Sequence, residues 1–352
     1  MRPYLYRLGG HRLVVGSVAL SVVVATFGAL AGCQVDRVPF NRLDTGKEFL
    51  EADESFQAAE YFEESLELEP ETSASAHAHL AIAYDRSMKK VQGIPSEYQK
   101  HSAARAQHLA TVSKDPTAIP YLVHALEYHN LSSQSAEELL VELGGTAVPA
   151  LLYGYQRKSE ERDTIRRLLR TIGSPAVSGI RKSVGSPDLV VQNRAQLVRL
   201  LGEMDNPEAR TFLAELQADP AMDEAIRVEA AAALYLLGDK QHRDFLVASL
   251  STQDVLARRA AAYCMSFLND EPNPEMLLSH LDDPDSEVCM HIAAALGEHR
   301  SDPNAVDALV ELLRTTDENL VGNAAVAALG KYGEDVIDPI LEALKFDAKS
   351  EH

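Results

Sequence analysis

An anchor pattern returns throughout most of this chain, and a chain patterned this way folds by stacking like units instead of closing around one central core. The anchors are Leu140, Leu169, Leu201, Leu234, Met265, Leu296 and Leu329, with spacings of 29, 32, 33, 31, 31 and 33. Four residues before them stand Ala136, Ile165, Leu197, Ala230, Ala261, Ile292 and Ala325. One residue before stand Leu139, Leu168, Leu200, Ala233, Cys264, Ala295 and Ala328, and three residues after stand Leu143, Ile172, Met204, Leu237, Leu268, His299 and Tyr332. Offsets of −4, −1, 0 and +3 share one face of an α-helix, so each unit is expected to open with a helix whose buried stripe recurs in the same place. The many alanines in that stripe let neighbouring helices approach closely.

A second apolar segment follows each anchor, as in Ala147-Val148-Pro149-Ala150-Leu151-Leu152. Pro120, Pro149, Pro175, Pro207 and Pro303 lie in or just before these segments. Proline suits a first helical turn, where its missing N–H leaves no bond unmade. Turns such as Asp282-Asp283-Pro284-Asp285-Ser286-Glu287-Val288 supply N-caps and first-turn acids. No alternating strand pattern is evident. The apolar share of 46% is enough to fill a core.

Two helices per unit, Asp-Pro turns and Val-x-x-x-Ala-Ala-x-Leu-Gly-like endings resemble HEAT repeats. The resemblance is closer to the short bacterial subtype named after phycobilisome lyases, carried best by residues 226–234 and 288–297. Seven repeats are clear and an eighth is expected to begin near Ser96. The resemblance implies an all-α fold, an α-α superhelix or HEAT-like solenoid that buries its core only by stacking. It is nearly silent on function.

Before the array, Ala58, Phe62, Ser65 and Pro70 resemble the second helix of a tetratricopeptide repeat, with Ser65 where that family has Ala. Gly46 and Phe49 fit the helix before it, and Leu80-Ala81 with Tyr84 resemble the start of the next repeat. This TPR-like helical hairpin is expected to cap the solenoid. An unrelated helical hairpin fits the same residues. The stretch 44–71 carries eleven acids and one Lys. It is either a docking face for a basic partner or a solvated surface.

The amino terminus reads as an address. Arg2, Arg7 and Arg12 precede nineteen residues, 13–31, without a charge. That order of positive, apolar and small residues is that of a secretory signal. It ends in Leu30-Ala31-Gly32-Cys33, which resembles the bacterial lipobox. The resemblance implies that Cys33 is lipidated and becomes the first mature residue, and that Gln34 at the next position favours the outer membrane in a Gram-negative cell. The length of the run also fits an uncleaved transmembrane anchor. The expected organisation is a lipoprotein signal peptide at 1–32, a tether at 33–41, the TPR-like module at 42–92, the repeat array at 93–345 and a polar tail at 346–352.

Lys plus Arg number 33 against 53 Asp plus Glu, a formal charge of −20. That balance argues against a partner made of nucleic acid. The charge is uneven: residues 157–182 hold Arg157, Lys158, Arg162, Arg166, Arg167, Arg170, Arg181 and Lys182 against three acids. This is the candidate partner-binding patch, with an ordinary charged helix face as the alternative. Seven residues before successive anchors stand Arg162, Arg194, Arg227 and Arg258. They read as a ladder that pairs with acids or carbonyls at neighbouring turns, or as a stripe that grips an acidic partner.

Cys264 and Cys289 sit at offsets −1 and −7 on successive first helices, which points to two buried thiols and not a disulfide. His77 and His79 point to different helix faces, and His291 and His299 lack a third ligand, so no metal is expected. One HEAT family is a di-iron hydroxylase built on His-Glu dipeptides, and no such dipeptide occurs here. No Walker loop, dinucleotide fingerprint or serine nucleophile elbow is present either. The expected function is non-enzymatic and without cofactor: a membrane-anchored scaffold for a protein partner in the cell envelope. The alternative is an enzyme accessory, or a chromophore-lyase-like protein that binds a cofactor and its acceptor protein.

Overall fold

The computed structural model describes residues 4–8, 11–15, 37–38, 41–128, 130–157, 160–267, 274–298, 303–337 and 341. Two compact units divide the chain, Met1–Ile172 and Gly173–His352, so the boundary falls inside the repeat array.

The first unit opens with a small sheet. Strand β1 (Tyr4–Leu8) pairs antiparallel with β2 (His11–Val15) in a register running from Tyr4↔Val15 to Leu8↔His11. Strand β3 (Arg37–Val38) pairs antiparallel with β1 on its other edge. This corrects the expectation that the chain holds no strand. The physical reason is local: Tyr, Leu and Val favour extended backbone.

Every described element beyond the sheet is helical. In the first unit these are α1 (Arg42–Glu51), α2 (Ser55–Leu68), α3 (Ser73–Lys90), α4 (Pro95–Lys114), α5 (Ile119–His124), α6 (Leu131–Leu143), α7 (Val148–Arg157) and α8 (Arg162–Ile172). Helices α1, α2, α3 and α4 pack each on the next, α3 also meets α6, and α6 meets α8. Asn41 starts α1 and Asn130 starts α6, each side-chain oxygen accepting a first-turn N–H. Helices α1 and α2 meet where Gly46 faces the ring of Phe62; a Cβ at Gly46 would lie 2.5 Å from it. Ala58, Phe62 and Ser65 are fully buried, as the hairpin reading requires. Pro70 opens a short 3-10 turn, Pro70–Thr72.

The second unit holds α9 (Ser174–Val184), α10 (Val191–Met204), α11 (Pro207–Ala218), α12 (Glu224–Leu236), α13 (Arg243–Ser249), α14 (Val255–Met265), α15 (Pro274–Leu278), α16 (Ser286–Leu296), α17 (Pro303–Thr315) and α18 (Asn319–Gly330). Two layers result. Helices α10, α12, α14, α16 and α18 stack each on the next, and α9, α11, α13, α15 and α17 cover them from one repeat to another. The five predicted prolines occupy the first or second position of α5, α7, α9, α11 and α17. Asp254 and Asp285 cap α14 and α16 through their carboxylates.

The stripe is buried as its period predicts. All seven anchors and all residues at −4 and −1 are buried. The +3 position departs from that expectation. Leu143 is buried, but Ile172, Met204, Leu237 and Tyr332 are half-buried. The helices end at or just before +3, so these side chains sit at a frayed edge and not on a continuous face. Cys264 and Cys289 are free and buried, as predicted.

The layer of first helices depends on missing side-chain atoms. A Cβ at Gly297 would lie 2.8 Å from the Ala328 Cα, a backbone atom with no room to give. Gly322, inside α18, has only the Thr316 methyl at 3.8 Å. Gly297→Ala is therefore expected to lower stability by about 1–3 kcal/mol through overpacking. Gly322→Ala should be neutral or stabilise by up to about 1 kcal/mol through helix propensity. Urea denaturation of the two variants checks this, and equal effects would contradict it.

Candidate interaction surface

Residues Leu30, Ala31, Gly32 and Cys33 lie outside the described residues. The basic cluster is described except for Lys158. Its first part, Arg157 to Arg170, belongs to the first unit, and Arg181 and Lys182 belong to the second. Most of its cations already have partners. Arg157 lies over the ring of Tyr153 at 4.7 Å. Arg166 pairs with Asp163. Arg167 forms a two-bond fork with Glu137, at 2.8 and 3.0 Å. Arg181 binds Glu215 at 2.5 Å and covers the ring of Phe212. Arg170 and Lys182 are exposed and have no partner among the described residues.

Arg162, Arg194, Arg227 and Arg258 form the ladder that pairs inside the array. Each reaches back to a carbonyl at the end of the preceding second helix or its turn: Arg162 to Tyr155 (3.2 Å), Arg194 to Val184 (2.7 Å), Arg227 to Gln217 (3.3 Å) and Arg258 to Thr252 (3.0 Å). The last carbonyls of a helix have no intrahelical donor, and a cation there also meets the negative end of the dipole. Two of the four also reach forward to the turn of the next repeat. Arg194 binds Asp223 at 2.8 Å, and Arg258 grips Asp283 at 2.8 and 3.1 Å. The repeated arginine thus ties three elements together.

Two polar knots escape sequence reading. In the second unit Arg199 forks onto the buried Glu229 at 2.7 and 3.0 Å and lies 4.0 Å from the ring centre of Tyr263, two repeats away. It crosses the intervening α12 beside Ala232 and Ala233, which line the same depression of about 200 Å³. In the first unit the buried Asp85 accepts from Arg105 Nε at 2.8 Å and Ser135 Oγ at 2.7 Å, with Lys89 at 2.9 Å. Burial pushes the Asp85 pKa up, but these three donors outweigh it and hold the carboxyl below its ordinary value. Lys89 is an i,i+4 neighbour, but Arg105 and Ser135 lie 20 and 50 residues away, where no local spacing announces them.

The histidines serve packing. His77 meets His108, Nδ1 to Nδ1 at 2.8 Å, and Tyr84 stacks on His108. His79 points the other way, into the core beside Phe62. Among the described residues no group of three or more His, Cys, Asp or Glu is placed to hold a metal ion. Nor is any helix among them long and apolar enough to cross a membrane.

The family model for HEAT repeats matches residues 185–266, 216–289 and 274–351. These matches fall within the second unit, on its stacked helix pairs. No curated protein matches the chain in sequence. The solved structures similar to this chain include the following two. One is human deoxyhypusine hydroxylase in complex with glycerol, with 22% identity and a TM-score of 0.36, over 65% of this chain and 90% of that one. The other is the karyopherin Kap121p bound to the extreme C-terminus of the protein phosphatase Cdc14p, with 14% identity and a TM-score of 0.36. That match covers 86% of this chain and 46% of the karyopherin.

His79 supplies a pH test of the first unit. Its Nδ1–H donates to the Ser75 carbonyl at 2.7 Å, and its Nε2 accepts from the Tyr128 hydroxyl at 3.0 Å. The bond from Tyr128 needs the neutral ring, and complete burial pushes the pKa down from 6.5 to about 4, although the Ser75 carbonyl favours the charged form. The unfolded chain then binds the proton more readily than the folded one. Stability is full above pH 6.5 and falls as pH drops toward 4, by up to about 3 kcal/mol from this residue. Denaturation midpoints between pH 7 and 4 should fall less steeply in His79→Gln than in the parent. An unchanged slope would contradict the assignment.

Proposed function

We propose that the chain is a lipid-anchored scaffold of the cell envelope, which holds a protein partner on its stacked repeats and does no chemistry of its own. The observation that carries the reading is the repeated burial of −4, −1 and anchor residues in seven helices. It commits one face of each first helix to stacking within its unit and leaves the opposite faces outward, suited to a macromolecule more than to a small substrate. The Arg2, Arg7 and Arg12 start, the uncharged run and Leu30-Ala31-Gly32-Cys33 support export and lipidation at Cys33. Stacked repeats offer many weak contacts along one surface, and a membrane anchor raises the effective concentration at a partner in the same membrane.

Of the basic patch, Arg170 and Lys182 are the positions to test, because the other described cations of the cluster are engaged within the fold. Cells fed an alkyne fatty acid should label the wild-type protein and not Cys33→Ala. The variant should also leave the membrane fraction. Photocrosslinkers at positions 170 and 182 should capture an envelope protein. Equal labelling of both proteins would overturn the anchor, and no captured protein from these and other surface positions would overturn the scaffold.

A further inference from the structure

The second unit carries a groove of about 620 Å³, within the range of ligand pockets, where the layer of second helices is interrupted. Helix α15 spans five residues while its neighbour α17 spans thirteen. The ends of both helices and the starts of α16 and α18 surround a depression. Its floor is apolar: Leu278, Leu281, Ala308, Leu312 and Val321. Its polar lining has one sign of charge. Asp282, Asp283, Asp285, Glu311 and Glu318 face it, and among the described residues no Lys, Arg or His does.

These acids are not equivalent. Asp283 is gripped by Arg258, Asp285 by Arg259 at 2.6 and 2.9 Å, and Glu311 by Arg314 at 3.0 Å. Asp282 and Glu318 are exposed, and neither has a cation partner among the described residues. They line it from two different turns, Asp282 before α16 and Glu318 before α18. Arginines engage three of the five acids and leave two carboxylates beside an apolar floor.

We propose that this groove docks a basic segment of the partner protein, with an aliphatic side chain on the Leu281–Leu312 floor and Lys or Arg side chains at Asp282 and Glu318. The inference rests on the scaffold reading above and names the chemistry of one of its contacts. Apolar contact supplies affinity, and the two unbalanced carboxylates select the sign of the flanking charge and orient the segment. An acidic or purely polar segment would leave both carboxylates unpaired or repelled, which is a selection against it.

The test uses the full chain in detergent, a random-peptide phage library and fluorescence anisotropy with the best selected peptide. Selected peptides should join Lys or Arg to Leu, Ile or Val. Their affinity should fall at least ten-fold in Asp282→Lys/Glu318→Lys and in Leu312→Asn. It should stay within two-fold in Glu60→Lys/Glu67→Lys, which changes net charge equally at exposed positions of the other unit. Equal loss in both charge-reversed variants would reduce the effect to general attraction by an acidic chain and overturn the proposal. So would selection of acidic peptides, or self-association abolished by the groove variant, which would make the occupant a second copy. The measurement needs neither membrane nor native partner. Failure of lipid labelling would therefore sink the envelope reading and leave the groove standing, and failure here would do the reverse.

Discussion

The rest of the second unit depends on how closely its first helices can lie. At two steps of the stack the residue after one anchor faces the residue before the next: Gly202 meets Ala233, and Gly297 meets Ala328. A Cβ on either glycine would come within 3 Å of its neighbour. Small residues at these two positions let the axes approach, and the approach brings −4 and anchor side chains into full burial. Larger residues would separate the layers and expose the stripe. The Leu-Gly ending of a repeat is therefore a packing requirement, not a turn signal alone.

Close stacking has an electrostatic consequence. Each repeat places the carbonyl end of a second helix beside the start of the next first helix, and the ladder arginines fill that junction. Arg194 and Arg258 bind a carbonyl behind and a carboxylate ahead, so a cation that looks available in sequence is an internal tie. The same holds for most of the basic cluster at 157–182, where Glu137 and Glu215 neutralise Arg167 and Arg181. The net charge of −20 is thus matched by few free cations on the described surface. The surface is read better through its unpaired acids, such as Asp282 and Glu318, than through its arginines.

What the sequence makes legible is what repeats. The buried stripe, the proline-opened second helices and the aspartate caps all recur at fixed offsets, and all were readable from spacing alone. The +3 residues were read as buried because a helix face was extended past the helix end; Met204 and Tyr332 show where the face stops. The Asp85 and Arg199 knots were not readable, because each joins residues tens of positions apart through a third dimension with no period. The pairing of the basic cluster was hidden for the same reason, since Arg167 and Glu137 lie thirty residues apart. The groove was hidden because it arises where the pattern lapses, at the short α15. The strands at Tyr4–Leu8 and His11–Val15 were missed because the charged start was weighed only as an address.

Nearest-neighbour stacking through small contact residues is the central claim, and native-state hydrogen exchange on Gly202→Val tests it most directly. A Cβ at that position meets Ala233 first, at 2.6 Å. The account predicts the largest loss of amide protection in α10 and α12, a smaller loss in α14, and little change in α16 and α18. A uniform loss across all five first helices, or none in α12, would contradict it.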